Sequence, residues 1–329
     1  MGRLKAALIG AGGMGQLHLK AMTSCREVEV AAVCDVDEEL LSKLARELGA
    51  EAFTDFREML RRVSLDFVVV ALPHWLHLPA VREAAARGVH VLKEKPLARS
   101  LEEAREVVRV AEEAGIKLML ATQRRFARTF SYAKELIDRG ELGDIFLVRG
   151  DYTFRWGRPT LGWRGVREKS GGGALLDAGY HTVDLTYWYK GVPEVVYCLL
   201  GAIKALPFDY ETEDTAVVAM RYPDGCVGRI TVSWATAPNE ERVTVHGTEG
   251  YLVASWDKLV LAKPDGTVVV EEEMRGDLWL EALKRQLLHF VDCIRRDAEP
   301  ISSGRENLNV MRILDACYRS AASGAPVAL

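Results

Sequence analysis

The chain has 329 residues, of which 49% are hydrophobic and 27% charged, and its formal net charge is −4. That length suffices for two domains with an ample core, and the nearly balanced charge argues against nucleic acid or an anionic membrane surface as a partner. The apolar run after Met1-Gly2-Arg3-Leu4-Lys5 is too short for a signal segment or a membrane span, and six scattered cysteines without a C-x-x-C pair read as free thiols in a reducing cytoplasm, with no metal site.

Up to about residue 122, strand and helix alternate. Apolar runs at residues 6–9, 28–34, 67–72, 89–92 and 118–121 read as parallel strands buried on both faces. Asp37 and Asp55 are placed to cap helices, Gly49, Gly88 and Gly115 to end them, and Ser100 with Glu103 forms a capping box. Repeated β-α units of this length predict a doubly wound sheet. From about residue 145 the strands alternate apolar and polar residues. Hairpin signals join them at Pro223-Asp224-Gly225, Gly247-Thr248-Glu249-Gly250 and Pro264-Asp265-Gly266. In the segment 229–234, Ile230, Val232 and Trp234 occupy one face and Arg229, Thr231 and Ser233 the other. Helices near 174–190, 277–296 and 304–323 supply cover for one face of a largely antiparallel sheet and leave the other open. The expected fold class is α/β: an N-terminal Rossmann domain over 1–122 and a C-terminal α+β domain over 123–329 with an open-faced mixed sheet.

The first strand-to-helix turn reads Gly10-Ala11-Gly12-Gly13-Met14-Gly15, and Asp35 ends the second apolar run. In this context Gly10 permits the tight turn, Gly12 has no Cβ to block a pyrophosphate, and Gly15 lets the helix pack on the strand. The helix N-terminus, starting at Gly13 and Met14, offers free N–H groups to phosphate, and the Asp35 carboxylate can accept both ribose hydroxyl protons. A 2′-phosphate would be repelled by Asp35, and residues 36–39 hold no Arg to receive it, which favours NAD over NADP.

Three further groups lie where strands end. Lys95, in Lys93-Glu94-Lys95-Pro96, projects towards the ligand crevice at the C-terminal end of its strand. Pro73-His74-Trp75-Leu76-His77 faces the same way; His77 is either a cofactor contact or a helix-start histidine satisfied by backbone. Gln123-Arg124-Arg125-Phe126 follows the last strand of the first domain, and Gln123 is counted with the cofactor-binding set. In the second domain Asp177, His181 and Asp184 are spaced i, i+4 and i+7 on one helical face, so that a carboxylate can orient an imidazole acting as general base. The alternative is a buried His–Asp pair that pins the helix. Arg155, Arg158, Arg164 and Arg167 lie among Trp156 and Trp163 and suit a phosphate or carboxylate.

Together these elements resemble the Gfo/Idh/MocA oxidoreductases, a group that includes glucose–fructose oxidoreductase and inositol dehydrogenase. The matching elements are the glycine turn, residues 71–77, Glu94-Lys95-Pro96, Trp163-Arg164, the run from Gly171 to His181, Glu299-Pro300 and Arg319-Ser320, in the family's order over nearly the full length. The resemblance implies Lys95, Asp177 and His181 as the catalytic set. His181 would take the hydroxyl proton, Lys95 would polarise the same oxygen, and Asp177 would orient them or the substrate. It also implies that Glu94, Pro73, Trp163 and Arg164 line the dinucleotide, and that the open sheet face makes a homodimer or homotetramer. One departure is Leu72-Pro73-His74, where the family has Thr-Pro-Asn. The expected activity is NAD-dependent oxidation of a secondary hydroxyl of a sugar, inositol or sugar derivative. The alternatives are a nucleotide-sugar oxidoreductase, with the arginines around 155–167 holding a diphosphate, and a non-catalytic dinucleotide sensor on the same fold.

Overall fold

The computed structural model describes residues 2–201 and 203–329. In chain order the first part runs Leu4–Ile9 (β1), Gly13–Ser24 (α1), Val28–Cys34 (β2), Glu38–Leu48 (α2), Glu51–Phe53 (β3), Phe56–Arg62 (α3), Phe67–Val70 (β4), His77–Ala85 (α4), His90–Lys93 (β5), Leu101–Glu113 (α5) and Leu118–Leu120 (β6). The six strands pair in parallel in the order β3-β2-β1-β4-β5-β6. The order reverses between β1 and β4, and open α/β sheets bind their ligands at the C-terminal strand ends beside such a switch. Both Asp caps form as expected: the Asp37 side chain accepts from Leu40 N and that of Asp55 from Arg57 N. The short β3 escapes the sequence reading because Glu51 and Ala52 are exposed, which leaves no apolar run to mark it.

The remainder comprises Arg128–Asp138 (α6), Ile145–Arg155 (β7), Arg167–Ser170 (α7), Ala174–Asp177 (α8), Gly179–Lys190 (α9), Val195–Leu200 (β8), Thr215–Arg221 (β9), Val227–Ser233 (β10), Ala235–Gly247 (β11), Tyr251–Ser255 (β12), Lys258–Ala262 (β13), Val268–Glu273 (β14), Leu278–Arg296 (α10), Gly304–Ser323 (α11) and Val327–Ala328 (β15). Nine strands form one sheet in the order β14-β13-β12-β11-β7-β10-β9-β8-β15, antiparallel except for the β7–β10 pair. The three hairpin turns expected from Pro-Asp-Gly and Gly-x-x-Gly join β9 to β10, β11 to β12 and β13 to β14. One face is apolar and covered: Ile230, Val232 and Trp234 are fully buried, and a Cβ on Gly150 of β7 would overlap the Thr182 side chain, so α9 lies close on the sheet there. On the other face Leu199, Val217 and Val227 stay 56%, 43% and 50% exposed.

The chain clusters into two compact units. The first takes residues up to Ala98, Glu102–Gln123 and Trp279–Leu308; the second takes Arg99–Leu101, Arg124–Leu278 and Asn309–Leu329. A division at 122/123 assigns α10 to the second domain; the structure instead packs it on the first. Phe290 meets Phe67 edge-to-face at 5.6 Å, and Lys117 pairs with Asp297 at 2.7 Å. The segment after α10 meets the edge strand β6 in an isolated bridge: Leu120 N donates to Ser302 O at 2.9 Å and Ser302 Oγ to Leu120 O at 2.8 Å. Pairing across so long a stretch of sequence leaves no local periodic signal. The expected helix near 174–190 is two helices, α8 and α9, with Ala178 between them. All six cysteines are buried free thiols, and among the described residues no helix is long and apolar enough to cross a membrane.

Candidate active site

In the first unit the chain leaves β1 through Gly10, whose φ of +92° and 2.5 Å separation between its Cβ position and Ala71 O exclude a side chain. A Cβ on Gly15 would overlap Gly10 O, which is how tightly α1 packs against the strand end. Gly12 differs: a Cβ there would meet no protein atom within 4 Å. Its bareness is not used by the protein's own packing. It leaves open the approach to the first turn of α1, where Gly13 and Met14 carry N–H groups without intrahelical acceptors. Asp35, just past β2, is fixed beside this loop by two backbone donors, Ala11 N to Oδ2 at 2.6 Å and Asp37 N to Oδ1 at 3.1 Å. A carboxylate has about four lone-pair positions, so two backbone bonds orient it and leave acceptors for a ribose diol. These residues fit a nicotinamide dinucleotide.

β4 is followed by Pro73 and a 3₁₀ turn at His74–Leu76, and then by His77. His77 is fully buried, with Nε2 2.9 Å from Leu72 O and Nδ1 3.2 Å from Pro96 O. Burial, then the neighbouring Lys93 ammonium and His74, push its pKa well below the ordinary histidine value. The structure therefore corrects its inclusion among cofactor contacts: the ring is set among backbone carbonyls, the second of the two alternatives, and as a neutral imidazole it donates its single N–H to one of them.

β5 ends at Lys93 and delivers Glu94, Lys95 and Pro96, with the Lys95–Pro96 peptide cis. Glu94 is buried, and its Oε1 lies 2.7 Å from Nε2 of His18 on α1. Burial alone would raise the Glu94 pKa, but the His18 bond and charge, with Lys95 and Lys93, outweigh it and hold the carboxylate below its ordinary range. Lys95 is half-buried between the buried Glu94 and Pro96. Gln123 is buried at the start of a 3₁₀ turn, Gln123–Phe126, past the end of β6.

In the second unit the glycines at 171–173 lead into α8. Gly173 N and Leu175 N donate to Glu213 Oε1 at 2.8 and 3.2 Å, and Tyr318 Oη donates to the same oxygen at 2.7 Å. A Cβ on Gly173 would overlap Glu213 O and one on Gly172 would overlap Tyr318 Oη, so the glycines are required by close approach. This anchorage sets α8, whose last residue, Asp177, accepts from Arg164 Nε at 2.8 Å. The Arg164 guanidinium lies 4.4 Å from the centre of the Trp163 ring and 5.7 Å from that of Trp156. Trp163, Arg164 and Asp177 thus form one cluster, although the sequence reading gives the first two a separate role. His181 is buried on α9. Asp184 has a partner that spacing does not reveal: Arg125 Nε lies 3.1 and 3.0 Å from its two oxygens and Nη2 2.6 Å from Oδ1, with both side chains buried.

Arg124 is also fully buried, between the rings of Tyr152 at 5.2 Å and Trp256 at 5.4 Å, with Nε donating to Glu241 Oε1 at 2.6 Å. Burial raises the Tyr152 pKa; Arg124 opposes this, while Glu241 and Asp177 add to it. Three of the arginines at 155–167 are taken up by separate acceptors of the chain. Arg155 Nη1 donates to Ala235 O at 3.4 Å, Arg164 binds Asp177, and Arg167 Nη2 stands 4.0 Å from Glu213 Oε2. Sequence reasoning missed His18, Lys93, Glu213 and Tyr318. Lys93, directly after the apolar Val91-Leu92 pair of β5, is the one signal that could have flagged any of them.

Comparison with known proteins agrees with this architecture. The Gfo/Idh/MocA profile for the NAD-binding Rossmann fold of an oxidoreductase family matches residues 4–122, and that for the family's C-terminal alpha/beta domain matches residues 134–329. D-xylose 1-dehydrogenase (NADP(+)) 2 of Haloferax volcanii is 32% identical, the alignment covering 98% of each chain. Scyllo-inositol 2-dehydrogenase (NAD(+)) of Bacillus subtilis is 27% identical over 99% of this chain and 96% of its own. The structure of a levoglucosan dehydrogenase in complex with NADH and levoglucosan superposes with a TM-score of 0.90 at 25% identity, covering 99% of both chains. Two family domains in order, on a parallel Rossmann sheet followed by a mixed nine-stranded sheet, identify the chain as an oxidoreductase that belongs to the Gfo/Idh/MocA family.

Proposed function

We propose that the protein is an NAD-dependent dehydrogenase that oxidises a secondary hydroxyl of a sugar, an inositol or a closely related polyol. The observation that carries this reading is the bare Gly12 beside the backbone-held Asp35 carboxylate, a cradle with a diol acceptor at its edge. When bound, the dinucleotide supplies the acceptor for the hydride leaving the carbinol carbon. His181 takes the hydroxyl proton, Lys95 donates a hydrogen bond to the same oxygen, and Asp177 orients the reacting groups from its seat on Arg164. Pro73, Glu94, Gln123 and Trp163 line the dinucleotide in this reading. Relatives named for xylose, scyllo-inositol and levoglucosan support the substrate class. The engagement of Arg155, Arg164 and Arg167 by the chain's own acceptors speaks against a diphosphate clamp and so against a nucleotide sugar. Six buried free thiols suit a reducing, cytoplasmic setting.

Choice of dinucleotide is read from this chain's own residues, since relatives named for NAD and for NADP both occur. Asp35 would repel a 2′-phosphate, and the neighbouring Val36 is 88% exposed and carries no charge to receive one. Asp35→Ser combined with Val36→Arg shifts preference towards NADP by removing the repulsion and adding a phosphate partner. Titration calorimetry of both dinucleotides checks this; tighter binding of NADP than NAD by the unaltered protein would contradict it.

The second unit also serves assembly in this proposal. The face of its sheet that carries Leu199, Val217 and Val227 leaves these apolar side chains exposed beside the Arg229–Asp151 ion pair, a mixed surface of the kind a second copy can cover. Sedimentation at micromolar concentration gives a dimer or tetramer, and a species of 36.5 kDa would refute the assignment.

A further inference from the structure

We propose that Lys93 is a positioning residue for this reaction: its buried side chain gathers the carbonyls of Glu94, Pro96 and Leu97 into one fixed turn and thereby sets the direction of Lys95. The inference rests on the reading of Lys95 as the donor to the substrate oxygen. Lys93 is the last residue of β5 and is wholly shielded from solvent. Its Nζ donates to Glu94 O at 2.8 Å, Pro96 O at 2.7 Å and Leu97 O at 3.2 Å. In its ammonium form the group has three N–H donors, which match the three acceptors one for one. Of the four carbonyls at 94–97, those of three residues turn inward to one nitrogen.

The neighbouring contacts close the remaining freedom of the loop. His77 Nδ1 approaches the same Pro96 carbonyl at 3.2 Å, and the Glu94 carboxylate is held by His18 at 2.7 Å. Glu94, Pro96 and Leu97 are buried, and Lys95 alone among residues 94–97 is half-exposed. An aliphatic residue at position 93 would suit the apolar strand better, because burying an ammonium is expensive: burial pushes the Lys93 pKa down to about 7 against the pull of Glu94 and Glu103, with Lys95 adding to the fall. What an aliphatic residue could not do is hold three carbonyls in one turn. The Glu94 side chain keeps its own anchor in His18, and the glycine loop and Asp35 belong to other segments, past the ends of β1 and β2.

The test compares Lys93→Met, which keeps most of the aliphatic stem and removes all donors, with Lys93→Gln, which supplies two donors for three acceptors. Lys95→Ala is measured alongside, all with NAD and a polyol that the unaltered protein oxidises. A misplacement of about 1 Å at a reacting group can cost about a hundredfold in rate. Lys93→Met is therefore expected to lower kcat by about ten- to a hundredfold. Substrate KM and the NAD Kd should stay within about threefold, because only aim is lost. Lys93→Gln falls between the two. Full kcat in both Lys93 variants while Lys95→Ala is inactive overturns the proposal alone. Full kcat in Lys95→Ala removes the role of Lys95 and the proposal with it. Loss of NAD binding in parallel with kcat, in either Lys93 variant, assigns Lys93 to the fold of the first unit and overturns its positioning role.

Discussion

Replacing His181 by Ala is expected to lower kcat by about two to four orders of magnitude, and Lys95→Ala to do the same, the range typical of groups that move or share a proton in the transition state. NAD affinity should hardly change in either variant, because neither side chain belongs to the glycine turn or the Asp35 carboxylate proposed to hold the pyrophosphate and ribose. A general base must be unprotonated to act, so the acid-side fall in kcat of the unaltered protein should disappear in His181→Ala. Asp177→Asn should cost less if Asp177 only orients its neighbours and a comparable amount if it binds the substrate hydroxyl; in either case Arg164 loses a charged partner 2.8 Å away. Steady-state kinetics with calorimetric NAD titration separates these effects. Unimpaired turnover in His181→Ala would require another base.

The second large effect concerns stability. Arg125 and Asp184 form a bidentate pair in which both side chains are about 1% exposed. Removing one member of such a pair leaves an uncompensated buried charge and typically costs about 3–5 kcal/mol. Arg125→Met is expected to destabilise the protein by that amount in denaturant unfolding, and Asp184→Asn to destabilise it less, since the amide can still accept from the guanidinium. The double variant Arg125→Met/Asp184→Leu should recover much of the loss, because a buried pair exchanged for apolar side chains is often close to neutral. The Arg125 guanidinium also lies 5.4 Å from the Trp188 ring, an apolar surface against which a Met side chain can pack. Single variants within about 1 kcal/mol of the unaltered protein would show that the pair is not buried as described.

Much of the fold was legible because its signals are local. Parallel strands buried on both faces produce unbroken apolar runs, β10 alternates with the period of a half-buried strand, and Asp37 and Asp55 cap within their own turns. The glycine turn was legible in detail, since Gly10, Gly12 and Gly15 each meet a different constraint within six residues. Contacts between distant residues were not. His18 and Glu94 are 76 positions apart, Arg125 and Asp184 59, and Tyr318 reaches Glu213 across 105. Helical spacing alone suggested that Asp184 supports His181, whereas a guanidinium from another segment engages its carboxylate. His77 shows the converse error: position beside the crevice suggested a ligand contact, but the two carbonyls that claim its ring come from Leu72 and Pro96. A lysine at a strand end is usually solvated, and only the turn at 94–97 shows three acceptors converging on Lys93.

The account stands on NAD-dependent oxidation of a sugar-type hydroxyl, and the direct measurement is formation of NADH by the purified protein across a panel of aldoses, inositols and anhydrosugars, with NAD and NADP in parallel. The account predicts that at least one member of the panel is oxidised, with NAD preferred over NADP, and that the signal is lost in His181→Ala. NAD binding in calorimetry with no reduction by any member of the panel would contradict it and point to a dinucleotide sensor built on the same fold.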